Sequence, residues 1–197
     1  MSSLQGAFDW AVTWCNRANV GYDQSYRNMQ VHNDVTWFDC SSFTFFALWQ
    51  GGGFDVGSLG FSTNLSDYTS IPNSANAWVV HTMEEYLPDL GWAVNNIGDI
   101  TPSPGDIVVR NHEHCEMVYS TSPLATMGAR NPNLPLNDQV AIHQVSNLSY
   151  YDRIWRYGST PPTPPTPGTG LPIWLLKAAL ERNGIPEPWC SFLNNNW

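Results

Sequence analysis

Two residues in this chain could form a nucleophile and its base. Cys40 follows Asp39, a good helix N-cap type, and the run from Cys40 to Gln50 contains no proline or glycine. That pattern places the cysteine in the first turn of a helix. There the helix dipole and the unpaired backbone N–H groups favour thiolate over thiol. The same N–H groups can stabilise an oxyanion. His114 opens a strand-like stretch, His114 to Ser120, directly after a turn-like Arg110 to His114 segment. An imidazole at a strand start can point towards a helix end and take a thiol proton. Each residue also has a plainer reading, as a small buried apolar cysteine and as a solvated loop histidine. His112, Glu113, His114 and Cys115 could instead be metal ligands, but no second ligand cluster stands at zinc-site spacing. The expectation is no metal and no cofactor.

The elements that must position these residues follow from periodicity. Leu4, Phe8, Ala11 and Cys15 recur at helical spacing. The polar, tyrosine-bearing stretch from Gly21 to Asp34 reads as a loop. The helix opened by Cys40 is buried and ends at Gly51 to Gly53, and a glycine- and asparagine-rich loop runs from Gly51 to Asn73. Ser74 to Leu87 reads as another helix. Short strands come next: Asp106 to Val109, His114 to Ser120, Leu124 to Arg130, Gln139 to Val145 and Ile154 to Tyr157. Helices first and an antiparallel sheet afterwards describe an α+β fold.

The sharpest change of composition is at residues 159–170, where five of twelve residues are proline. This is an extended linker between a body, residues 1–158, and a tail, residues 171–197. Pro172 near its start and Gly184 past its end frame a short helix in the tail, which is too small for a core of its own. The tail therefore docks on the body, self-associates, or binds a wall or virion component. It holds two basic and two acidic residues, so the net charge of −9 belongs to the body. With eight basic residues scattered along the chain, no basic stripe for nucleic acid exists. The N-terminus lacks the pattern of a signal peptide, and no apolar run is long enough to span a bilayer. Cys15, Cys40, Cys115 and Cys190 are widely spaced and are expected to be free thiols of a protein made in a reducing cytoplasm.

Several segments carry a resemblance to a known family. Asp39-Cys40-Ser41-Ser42 resembles the D-C-S-[SG] nucleophile motif of the NlpC/P60 peptidoglycan hydrolases, which are papain-like. Gly21-Tyr22-Asp23-Gln24-Ser25 resembles the tyrosine-bearing segment upstream of it. Pro104-Gly105-Asp106-Ile107-Val108 looks like the family's P-G-D strand, and His114-Cys115-Glu116-Met117-Val118-Tyr119 looks like its histidine strand. The four occur in order across roughly residues 4–157 and lie closest to the amidase-like subgroup common in phage lysins.

The resemblance implies a papain-like fold, with N-terminal helices packed on an antiparallel sheet. It implies Cys40 as the nucleophile, attacking a peptide or amide carbonyl, and His114 as general base and then acid. Tyr22 matches the tyrosine near the nucleophile, which binds or polarises the scissile carbonyl, although an ordinary loop aromatic reads the same. Asp39, Ser41 and Glu116 complete the expected substrate-binding set. Glu116 shares the strand face of His114, so it binds a substrate amine, assists His114, or simply sits at the sheet rim. The family's third catalytic member, often histidine, comes from the following strand. Ala125 to Asn131 contains no histidine, and Arg130 is a donor only, so Asn131 is the expected residue, beside the reading of a plain loop asparagine. The implied function is phage-endolysin-like cleavage of bacterial peptidoglycan, at a stem-peptide amide or at the muramoyl-L-alanine bond, acting at the cell wall after release or from a virion. Two alternatives stand beside it. One is a non-catalytic wall-binding module, suggested by ten tryptophans. The other is an effector of the same fold acting on a protein amide.

Overall fold

The computed structural model describes residues 2–69 and 78–158. The expected linker, the tail with Cys190, and the Ser74 start of the expected helix lie outside these residues.

The first helix, α1, spans Leu4–Cys15. Ser3 caps it, its Oγ accepting the Gly6 N–H at 3.0 Å. Ala7, Phe8, Ala11, Val12 and Cys15 form its buried stripe, as the helical spacing required. The stretch expected to be a loop is instead a small sheet. Its strands are β1 (Val20–Tyr22), β2 (Asn28–His32) and β3 (Val35–Phe38), in the order β1-β3-β2. β1 runs parallel to β3, and β2 runs antiparallel to it. Asn33 and Asp34, both at positive φ (53° and 61°), make the two-residue turn between β2 and β3. Such turns match the twist of the paired strands. A bulge between Asn28 and Gln30 interrupts β2 and puts Met29 at φ 58°. Gly21 is required by close approach, because a Cβ there would lie 2.4 Å from the Trp37 ring.

β3 leads through Asp39 into α2, Cys40–Phe46, which continues as a π-helical turn over Ala47–Gly51. A 3-10 turn (Val56–Leu59) and the short α3 (Ser66–Thr69) interrupt the long loop that follows. The next helix, α4, begins at Val80 and ends at Tyr86. The second sheet has six strands, β4 (Trp92–Asn96), β5 (Ile107–Arg110), β6 (His114–Thr121), β7 (Leu124–Ala129), β8 (Val140–Gln144) and β9 (Arg153–Tyr157). The short α5 (Leu136–Gln139) precedes β8. The order is β4-β9-β5-β6-β7-β8, and every pairing is antiparallel. Five of these strands match the expected ones, with ends shifted by a residue or two, whereas β4 was not expected.

The fold is α+β. One face of the large sheet, with Ile107, Val109, Cys115, Met117, Met127 and Ala129, joins the helices in the main core. The other face, with Val108, Val118 and Ile154, is covered by Leu148 and Tyr151. Aromatic rings dominate the helical side. Phe38 meets Trp10, Trp14, Phe43 and Phe46 edge-on, a preferred ring geometry. All seven tryptophans among the described residues are buried or half-buried. No helix among the described residues is long and apolar enough to cross a membrane.

Candidate active site

The parallel pairing of β1 with β3 sets Tyr22 opposite Phe38, two residues before Cys40. Asp39 then starts α2. Its Oδ1 accepts the Ser42 N–H at 2.7 Å, and Ser42 Oγ accepts the Asp39 N–H at 3.0 Å, a reciprocal cap. Asp39 Oδ2 also faces Arg27 Nε at 2.9 Å, with both side chains buried. Arg27 donates to Ser41 Oγ at 2.6 Å and to the Trp78 carbonyl. Burial raises the Asp39 carboxyl pKa against the pull of Arg27. Asp39 and Ser41, expected to bind substrate, are both buried and hydrogen-bonded within the protein, where they hold the start of α2.

Cys40 is 5% exposed. It lies over the start of β6, with Sγ 3.8 Å from the Glu113 carbonyl. The cysteine beside it, Cys115, is fully buried on the helix side of the sheet, with Sγ 3.5 Å from Thr44 Oγ1. A hydrogen bond from Cys115 and then contact with His114 hold the Cys40 thiol well below its usual pKa, against the opposing effect of burial. Burial raises Cys115 well above the usual value, and the charge on Cys40 adds to this. Of the two thiols, Cys40 is therefore the one that ionises. Cys15, Cys40 and Cys115 are thiols, none of them joined in a disulfide.

His114 Nε2 lies 3.1 Å from Glu116 Oε1. Burial opposes the charged ring, but hydrogen bonds to Cys40 and Glu116, with their charges, win and push its pKa up to about 10. The two shifts run in the direction of a thiolate–imidazolium pair. With Nε2 held by Glu116, Nδ1 is the nitrogen left to exchange a proton with sulfur. Glu116 is 3% exposed. It accepts from Tyr151 Oη at 2.8 Å and from Thr126 Oγ1, and its Oε2 lies 3.4 Å from His143 Nε2. Burial alone would raise its pKa; its bond to His114 and the charges of His143 and His114 lower it instead. Burial lowers His143.

Asn131, expected beside the ring, is exposed, and its Oδ1 accepts the Asn133 N–H at 2.9 Å. The ring's partner is Glu116. The strand alternation that put Glu116 on the face of His114 was already the signal for it. Tyr22 is half-buried, and its backbone N–H donates to Gln139 Oε1 at 2.8 Å. Burial raises its phenol pKa, reinforced by the nearby Cys40 and Asp39, so it remains a hydroxyl donor.

The four residues considered as a metal set diverge. His112 pairs with Glu84, the Glu113 carbonyl faces Cys40, and His114 and Cys115 lie on opposite sheet faces. No group of three or more His, Cys, Asp or Glu among the described residues is arranged to hold a metal ion.

A cleft of about 350 Å³ opens beside His114 and Glu116, bordered by Arg130, Asn131, His143 and Tyr150. The arrangement combines a thiol with a lowered pKa, an imidazole with a raised one, a carboxylate 3.1 Å from the ring and a phenol whose pKa is raised. No protein-family model, curated protein or solved structure matches the chain.

Proposed function

We propose that this protein is a papain-like cysteine hydrolase of the NlpC/P60 type that cleaves an amide of bacterial peptidoglycan. The observation that carries the reading is the placement of Cys40, at the start of α2, against Glu113 at the entry to the His114 strand, with Glu116 3.1 Å from the His114 ring and the thiol lowered and the imidazole raised. A structural cysteine buried among apolar groups would have a raised pKa instead, as Cys115 does.

In this mechanism the Cys40 thiolate attacks the carbonyl carbon, and the Tyr22 hydroxyl donates to the developing oxyanion. His114 gives its proton to the leaving amine as the C–N bond breaks, which leaves a thioester on Cys40. Neutral His114 then takes a proton from water. The hydroxide adds to the thioester, the acid departs, and the thiolate–imidazolium pair is restored. Glu116 holds the ring in the tautomer and orientation these transfers need, the part a carboxylate or amide plays in other triads.

The peptidoglycan substrate rests on the motif resemblance. The tryptophans of the described residues are buried or half-buried, so much of the composition that suggested a wall-binding module serves the core. Digestion of purified peptidoglycan, with fragment masses and new termini read by mass spectrometry, tests the reading. Release of one new amino terminus is expected, and the Cys40→Ala protein should lose it. Equal digestion by both proteins would remove Cys40 from the reaction. Failure on walls of several peptide chemistries would favour a binding module or a protein-directed effector.

A further inference from the structure

Arg130 follows β7 at the edge of the cleft that holds His114. Its backbone N–H donates to the Gln139 carbonyl at 2.7 Å, which anchors the base of the side chain. The side chain itself is 29% exposed. Its Nε stands 3.8 Å from Glu116 Oε1, too far for a hydrogen bond. That carboxylate is already taken by His114, Thr126 and Tyr151.

The other arginines of residues 1–158 are employed elsewhere. Arg27, Arg153 and Arg156 bind Asp39, Glu84 and Asp106 at 3.0 Å or less. Arg17 and Arg110 lie over the rings of Trp14 and Tyr150. Among the described residues, Arg130 thus borders the cleft with a long ion pair to Glu116 as its side-chain engagement and no shorter hydrogen bond. A planar fork of this kind matches a carboxylate with two parallel bonds. The setting sharpens the point. The chain carries −9 overall and repels anions at long range, yet its cleft is bordered by a cation whose nearest carboxylate, Glu116, lies beyond hydrogen-bond distance.

We propose that Arg130 determines specificity by binding a free carboxylate that the substrate carries close to its scissile amide. The protein then prefers acidic stem peptides to the same peptides with that carboxyl converted to a carboxamide. This rests on the hydrolase reading above.

The test uses two synthetic stem peptides that differ only in that carboxyl group, free in one and a carboxamide in the other. The intact chain should show kcat/KM for the acid about 10- to 100-fold above that for the amide, the range for one charged hydrogen-bonding pair. In Arg130→Gln the ratio should fall to about one, with Arg130→Lys between. Loss of the guanidinium beside Glu116 can slow both peptides, and the ratio cancels that effect. An equal rate on the two peptides by the unaltered protein, or an unchanged ratio in Arg130→Gln, overturns the assignment and leaves the hydrolase reading standing. If neither peptide is cleaved, the hydrolase reading stays with the peptidoglycan digestion above, and calorimetric titration of both peptides into Cys40→Ala decides Arg130. Tighter binding of the acid, abolished by adding Arg130→Gln, supports it, and equal binding of the two overturns it.

Discussion

At the scale of single residues, one ionisation decides the chemistry. Two thiols touch, and burial acts against charge on both. Cys40 ionises because His114 supplies a positive partner and Cys115 supplies a donor. Cys115→Ala removes the larger of these effects. The pH at which Cys40 reacts with iodoacetamide should rise, yet stay below that of an ordinary thiol because His114 remains. An unshifted alkylation profile would mean that Cys115 only fills space. The rate of hydrolysis should fall on the alkaline side as His114 loses its proton near pH 10, and Glu116→Gln should move that limb towards lower pH. Glu116 also links pH to stability. Its pKa is depressed on folding, so its contribution is present above the usual carboxylate range and is lost as pH falls through the depressed value. Denaturant midpoints measured from neutral to acid pH should therefore drop more steeply for the unaltered protein than for Glu116→Gln. The sequence offered Glu116 through strand alternation, but it could not show that Asn131 turns back on its own loop.

At the scale of elements, the site depends on how α2 is started and where it lies. Asp39→Asn keeps a capping oxygen but leaves Arg27 buried without its counter-charge. The cost should be about 3–5 kcal/mol, read from urea unfolding. α1 crosses the π-helical turn closely at Gly6 and Gly51, where a Cβ on Gly6 would lie 2.4 Å from the Gly51 carbonyl oxygen. Gly6→Ala gains about 1 kcal/mol of helix propensity, but overpacking against backbone costs about 1–3 kcal/mol. A net loss in thermal midpoint is expected. α2 was legible because a capping residue, an uninterrupted apolar run and three glycines mark its course. The sheet of β1, β2 and β3 was not legible. Its strands have three to five residues, a bulge breaks β2, and its polar side chains give no clear alternation. Long-range pairing holds it, above all the parallel contact between β1 and β3.

At the scale of the molecule, charge and composition acquire places. The aromatic content goes largely into a ring-packed core between the helices and the large sheet, and the acidic body carries a cleft bordered by Arg130. Under the proposed function, the acidic body would be repelled by an anionic wall at long range, so removal of residues 159–197 should reduce lysis of whole cells more than cleavage of soluble fragments. Equal losses on both would assign those residues to stabilising the body. By itself, the sequence determined the α+β class, the helix that begins at Cys40, the strand that begins at His114, and the shared face of His114 and Glu116. Each follows from local periodicity, capping or alternation, which neighbouring residues set. Only the tertiary structure decided which carboxylate meets the His114 ring, that Cys115 lies against Cys40, and that Arg130 borders the cleft. Those relations join residues from separate elements, and their distances are fixed by how α2, β6 and β7 pack rather than by spacing along the chain.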